Sequence, residues 1–390
     1  MAAPQSGTPP WTLSTWVKWS WLFVVAFIVA QSLSYHWRVL PTSAAGYFAR
    51  GRADFLNGEY ESAVDNLTKS IERNATGADA FIYRGESYAA LHEFDKALRD
   101  TDRALQLRPD YEKSHAAAGD VKALSWDTKG AREAYSRALE LAPDCSRCYL
   151  KRGMASYDAQ QWGDAAADFH QGAIRLLTDE QITAQLLLWL ARARAGDASG
   201  ATDELSDVMR VGRIRGDRFW AGAQFLTGQI AEPAYLAAVA NLKEDEVEAL
   251  KAEAFFLAGG RRLAFGDRAA GLTLMRNALA MEADTSYAYD RARVELETLL
   301  VGFHPMWTAK TDAGLAIASV TPGGPAEAAG VRPGLILTTI DGVTVGQESF
   351  LEFLASAEPE STVQLQLEDG AGASVTVPLT LTPGSSAPTR

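Results

Sequence analysis

The two cysteines of the chain stand as Cys145-Ser-Arg-Cys148. A Cys-x-x-Cys pair at a helix N-terminus can support thiol–disulfide exchange, because the N–H groups there stabilise a thiolate. The pair also straddles a boundary between helical units, with Cys148 in an alanine-like packing slot, and no thioredoxin-type βαβ pattern surrounds it. A structural pair and a redox pair are both open at this point. In an oxidising compartment Cys145 and Cys148 can close a local disulfide. The five histidines, at 36, 92, 115, 170 and 304, show no metal-ligand spacing such as HExxH. His92, His115 and His170 fall on helical units or their turns, where surface and packing roles suffice. No GxSxG, P-loop or GxGxxG motif occurs. The expectation is a non-enzyme with no cofactor and no metal.

The formal net charge is −12 and there is no basic run, which argues against binding nucleic-acid phosphates. Trp19 to Leu33 carries no charge, and from Trp11 to Trp37 the only charge is Lys18, whose stem can snorkel. Tryptophans at 11, 16, 19, 21 and 37 suit the interfacial belt of a spanning helix. The expected boundaries are an N-terminal tail at 1–16 and a single-pass transmembrane anchor at 17–37. A cleaved signal peptide and a hydrophobic core helix are the competing readings. Charge leaves the orientation open: Lys18 flanks one side, and Arg38, Arg50 and Arg52 the other.

The elements that follow repeat. Gly85, Gly119 and Gly153 are 34 residues apart, as are Ala97, Ala131 and Ala165. Ala104 and Ala138 keep the period, and Pro109 and Pro143 close two units. An aromatic recurs before each second helix as Tyr60, Phe94 and Trp162. Gly51, Ala63 and Ser70 extend the register back by one unit. Small residues let paired helices approach, and proline ends the second helix. The pattern resembles the tetratricopeptide repeat, at units 44–77, 78–111, 112–145 and 146–179. It loosens over 182–215, recovers over 252–285, and a last helix near 286–302 would cap the stack. The whole would be a solenoid over 44–302.

The inward face would carry Phe48, Arg52, Phe55, Ile82, Glu86, Leu150, Met154 and Tyr157. Repeats that clamp chaperone C-termini use Lys and Asn at the second, fifth, sixth and ninth positions. Ala45, Phe48, Ala49 and Arg52 stand there in the first unit, and Asp79, Ile82, Tyr83 and Glu86 in the second, so that clamp is absent. The mixed apolar and aromatic groove suits protein segments, and partial burial against neighbouring helices would use the same residues.

The stretch FWAGAQFLTGQIAE, followed by AEAFFLAGGRRLAFGDRAAGLTLMRNALAMEADTSYAYDRARVEL, resembles the NlpI lipoprotein family over roughly residues 44–300. That likeness implies a bacterial periplasmic adaptor recruiting a protease or cell-wall hydrolase. The chain departs from the family in lacking a lipobox cysteine and in carrying a further C-terminal domain.

After Leu300, short β-rich runs with Gly and Pro turns replace the helices. Strands are expected at Gly314–Val320, Leu335–Ile340, Thr362–Leu367 and Ser374–Leu381, with an Asp341-Gly342 turn and an amphipathic helix at Ser349–Ser356. The run ASVTPGGPAEAAGVRPGLILTTIDGVTV resembles the PDZ domains of bacterial proteases, over about 304–383, with Leu335 where that family has aspartate. The resemblance implies a peptide bound as an added strand, its carboxylate held by backbone N–H groups of a short loop. That loop and strand are expected at His304–Thr311, where Pro305 replaces the usual glycine. Met306, Trp307, Thr308 and Ala309 would face the peptide, opposite Phe350, Leu351 and Leu354 of the helix, which also read as plain core. Residues 384–390 are expected to form a disordered tail.

The fold expectation is mostly α: a tetratricopeptide solenoid, then a small β-rich PDZ domain, with an N-terminal transmembrane helix. The functional expectation is an adaptor in the bacterial inner membrane, its body periplasmic, with protein or peptide partners and room for a homodimer. The alternative is an assembly scaffold or holdase chaperone. A catalytic role would rest on the Cys-x-x-Cys pair.

Overall fold

The computed structural model describes residues 43–175, 179–212, 217–241, 247–281, 287–305 and 314–381. The expected anchor at 17–37 lies outside them, as does the expected tail at 384–390. Among the described residues no helix is long and apolar enough to cross a membrane.

The chain forms two compact units, divided after Thr76. In the first, α1 (Ala44–Leu56) and α2 (Tyr60–Arg73) make an antiparallel hairpin. Ser43 caps α1, its hydroxyl accepting the Gly46 N–H at 3.1 Å. A Cβ at Gly51 would lie 2.7 Å from the Leu67 side chain, so glycine permits the helices to close.

The second unit continues as helix pairs. They are α3 (Ala78–Ala90) with α4 (Phe94–Leu107), α5 (Glu112–Leu124) with α6 (Thr128–Leu141), and α7 (Ser146–Asp158) with α8 (Trp162–Arg175). Next come α9 (Asp179–Arg194) and α10 (Ala198–Arg210), α11 (Asp217–Leu226) and α12 (Glu232–Ala240), and α13 (Val247–Ala264) with α14 (Arg268–Leu279). The period has a physical basis at each conserved spacing. Ala97, Ala104, Ala131, Ala138 and Ala165 are fully buried. A Cβ at Gly119 would come 2.6 Å from the Tyr135 ring, and one at Gly153 2.8 Å from Phe169. His92, Trp126 and Gln160, 34 residues apart, turn each pair in the left-handed conformation, with φ of 58°, 65° and 56°.

The capping helix α15 (Tyr287–Leu296) passes into a π-helical turn, Glu297–Val301, ended by Gly302 at φ 74°. The chain then enters the β domain: β1 (Phe303–Pro305), β2 (Leu315–Val320), α16 (Pro325–Ala328), β3 (Ile336–Ile340), β4 (Val343–Thr344), α17 (Gln347–Ser356), β5 (Thr362–Glu368) and β6 (Ser374–Thr380). The antiparallel sheet runs β1-β2-β3-β5-β6, with β4 on β3. Asp341 and Gly342 turn β3 into β4 with positive φ at both residues, the geometry their sequence specifies. Leu337, Leu365, Leu367 and Leu379 fill the core beneath α17.

Repeats and β domain pack as one body in this unit. Arg276 of α14 donates to the Leu354 carbonyl at 3.2 Å and to the Ala357 carbonyl, closing the free end of α17. Arg268 of α14 donates to the Leu299 carbonyl at 2.5 Å.

Candidate peptide-binding surfaces

Two faces could receive a polypeptide: the edge of the β domain between β1 and α17, and the face shared by α3, α5 and α7.

At the β-domain edge, Phe350 and Leu354 are fully buried, and the Phe350 and Phe303 rings pack at 5.7 Å. These two groove candidates are core residues: the face of α17 they occupy is the one that seals the sheet. Leu351 is half-buried against the same core. Met306, Trp307, Thr308 and Ala309 lie outside the described residues.

Sequence reading missed a hydrophobic-Gly-hydrophobic run immediately before the edge strand. It is Val301-Gly302-Phe303, three residues upstream of where family order put it, at the end of a helix. Its pattern was visible, but was absorbed into the apolar run of the capping helix. The left-handed Gly302 leaves a Cβ no room, since it would meet Pro325 at 2.7 Å. Gly302 spends its N–H on the Glu297 carbonyl at 2.7 Å. The π turn therefore consumes a donor that a carboxylate-holding loop would need.

The other side of β1 is held by the repeats. The His304 imidazole stacks on the Trp126 indole, with centroids 5.2 Å apart and planes within 13°. Its Nδ1 is 2.8 Å from Glu297, a fully buried carboxylate that also faces Arg293 at 3.4 Å. The Arg293 guanidinium lies 4.7 Å from the Trp126 ring centroid.

The capping helix brings two more ion pairs into the repeats. Arg291 meets Asp158 at 2.8 Å, and Arg194 meets Glu295 at 2.8 Å. Burial pushes Asp158 up to about 6, against the opposing pull of Arg291. Tyr157 is enclosed by Trp162, Phe169 and Phe256, and burial raises its phenol well above the usual range. Leu150 is buried and Met154 packs on the same core. Leu150 and Tyr157, expected to line an open groove, are instead packed inside the body, Tyr157 beside the pair that anchors α15.

The remaining stretch is polar. Asp120 of α5 and Arg147 and Lys151 of α7 lie close enough to Glu86 of α3 to act on its charge. Asp120 accepts the Tyr135 hydroxyl at 2.7 Å and lies 3.7 Å from Lys151. Burial, then the Asp120 charge, push Glu86 up to about 8 against Arg147 and Lys151. Ile82, on the same helix, is buried, so of the two α3 candidates Glu86 is the one available to a partner. In the first unit Phe48 and Phe55 are half-buried and Arg52 is exposed, with Phe55 packing on Tyr60 at 5.9 Å.

Cys145 and Cys148 are joined as a disulfide at the start of α7, where the Cys145 sulfur accepts the Cys148 N–H at 3.2 Å. Cys148 packs beside Ala138 and Leu139. Among the described residues no group of acids, cysteines and histidines could hold a metal.

A helical-repeat solenoid joined to a small antiparallel PDZ-type domain defines a protein-interaction adaptor. The family model described as tetratricopeptide repeat matches residues 78–111, and the one described as PDZ domain matches 317–368. The chain is similar to small glutamine-rich tetratricopeptide repeat-containing protein 2 of Saccharomyces cerevisiae, 27% identical over 107 residues, covering 27% of this chain and 31% of the relative. It is also similar to the Hsp70-Hsp90 organizing protein of Triticum aestivum, 29% identical over 107 residues, covering 27% of this chain and 18% of that one. The match thus spans about a third or less of these relatives' length. Among solved structures, MamA from Desulfovibrio magneticus covers 45% of this chain and 97% of its own, at 20% identity and a TM-score of 0.38.

Proposed function

We propose that the chain is a membrane-tethered adaptor whose repeats dock a protein segment on the face of α3, α5 and α7. The observation that carries this is the division of the repeat surface. The part near Tyr157 is filled by the chain's own aromatic core and its capping helix, whereas the stretch around Glu86 stays polar and part-exposed, with Asp120, Arg147 and Lys151 acting on it. Peptide docking by repeats is also supported by relatives named for organising Hsp70 and Hsp90.

In this reading residues 17–37 form the anchor, 44–302 the repeats and 304–383 the PDZ domain. The body is periplasmic, and the docked partner is an envelope protease or murein hydrolase. The uncharged tryptophan-flanked segment supports the anchor, and the likeness to NlpI proteins supports the partner class. The PDZ domain serves chiefly as a fixed part of the body, because its loop donor at Gly302 is already used.

Photo-crosslinkers placed at Glu86 and, as a control, at Val375 of the β domain test the docking face. Capture of envelope enzymes from position 86 supports the reading; capture only from position 375, or of ribosomal and cytosolic proteins alone, overturns it. A topology reporter fused after residue 390 tests the periplasmic half. The second reading, a holdase for apolar segments, draws on the exposed side chains of Leu124, Ile174, Val211 and Phe265. Peptide arrays separate the two, since a holdase binds apolar peptides without regard to charge.

A further inference from the structure

The Cys145–Cys148 disulfide adds little to the fold. A disulfide stabilises mainly by the length of chain it closes, and this one spans only Ser146 and Arg147, whose backbone α7 already holds. The Cys145 carbonyl accepts the Tyr149 N–H at 3.3 Å, so backbone bonding alone closes the first turn of the helix. The two sulfurs are also unequally placed. Cys148 is 3% exposed and packs beside Ala138 and Leu139, whereas Cys145 is half-buried at the N-cap. The chain has no third cysteine, so any thiol that meets the pair comes from another molecule.

We propose that Cys145–Cys148 is a thiol–disulfide exchange site that takes electrons from a pair of cysteine thiols in another protein. Cys145 is the sulfur attacked, because it is the one within reach. The incoming thiolate bonds to the Cys145 sulfur. The Cys145–Cys148 bond breaks, its electron pair goes to Cys148, and Cys148 takes up a proton. The partner's second thiol then gives up its proton and attacks the partner's own sulfur in the mixed disulfide. That sulfur's bond to Cys145 breaks, and Cys145 leaves as a thiolate. Two thiols of the partner are thereby oxidised to a disulfide, and Cys145–Cys148 is reduced to a dithiol.

The start of α7 favours this direction. The Cys145 sulfur already accepts the Cys148 N–H at 3.2 Å, and a helix N-terminus stabilises negative charge, so Cys145 is a good leaving group. Arg147, exposed between the two cysteines, adds a cation, and Asp144, exposed just before them, opposes it. The exchange needs the pair, its uneven exposure and the helix terminus, and no thioredoxin-type sheet.

The test uses the whole chain in detergent micelles and a capped peptide with two thiols, Ala-Cys-Ala-Ala-Cys-Ala. Acid-quenched samples are analysed by mass spectrometry, while circular dichroism follows the helices. The expected result is that the folded chain oxidises an equal amount of the peptide, roughly tenfold faster than glutathione disulfide does at the same concentration, as a better leaving thiol requires. The helical signal should persist after the pair is reduced. Cys148→Ala should become glutathionylated by glutathione disulfide at Cys145, and Cys145→Ala should leave Cys148 unmodified. Iodoacetamide should alkylate Cys145 of the reduced chain at a pH below that needed for an ordinary thiol, and Arg147→Ala should move that profile upward. A disulfide that stays closed in the presence of the peptide overturns the proposal, as does modification of Cys148 as readily as Cys145. Loss of the helical signal on reduction also overturns it, because the pair would then be a staple of the fold.

Discussion

The His304 ring lies parallel to the Trp126 indole at 5.2 Å, joining the first strand of the β domain to a turn between two repeat helices far earlier in the chain. Trp126 holds the left-handed conformation, with φ 65°, which costs a bulky residue about 1–2 kcal/mol. The indole is nevertheless buried, 7% exposed, between His304 and Arg293. The turn carries backbone strain where its side chain clasps the second domain.

Trp126→Ala should therefore destabilise the body by about 3 kcal/mol, the usual loss for a buried aromatic, less whatever strain is relieved. The change should be local: amide exchange at Phe303 and His304 accelerates, while β5 and β6 keep their protection. Uniform loss of protection across the β domain would contradict a clasp at β1.

Glu86→Gln should stabilise the protein increasingly as pH rises. Folding lifts the Glu86 pKa from 4.5 to about 8. The unfolded chain therefore loses this proton first, and folded stability falls as pH climbs from about 4.5 to about 8, with no further change above. Glutamine removes that dependence. At pH 8.5 the variant should exceed wild type by on the order of 3 kcal/mol, solvent screening at the part-exposed carboxylate trimming the full penalty. Below pH 4.5 the two should coincide in urea denaturation.

Leu354→Ala and Leu351→Ala should separate sharply. Leu354 is fully buried, so its truncation should cost about 3 kcal/mol. Leu351 is half-buried, and its truncation should cost less than about 1 kcal/mol. Comparable losses in thermal unfolding would mean that α17 presents a different face to the sheet.

Gly119→Ala should destabilise by about 1–3 kcal/mol, because its Cβ would meet the buried Tyr135 ring at 2.6 Å. Gly163→Ala is the control. Nothing lies within 4 Å of its Cβ, and alanine is the better helix former by up to about 1 kcal/mol. The first should lower and the second raise the unfolding midpoint.

The order of elements was readable from the chain because it depends on local rules. Helix closure needs small residues at Gly85, Gly119 and Gly153, and each recurs at the same spacing. The β3–β4 turn needs positive φ, which Asp341-Gly342 supplies. The β-domain elements fall close to their expected ranges for the same reason. The Cys145–Cys148 pair was readable as a candidate disulfide by proximity alone, and the structure joins it.

What the sequence by itself determined is therefore the repeat, the PDZ-type order of strands and the residues able to face inward. Only tertiary structure decided which of them stay accessible. Tyr157 and Leu150 were inward candidates alongside Glu86, yet aromatic rings from α8 and α13 close over Tyr157, and Arg291 of α15 pairs with Asp158 beside it. Gly302 has the sequence of a peptide-binding loop, yet the π turn takes its N–H. The first outcome turns on contacts from segments distant in sequence, Phe256 and Arg291, which no local pattern encodes; the second turns on the winding of one local turn, which the same apolar run could equally have continued as an ordinary helix.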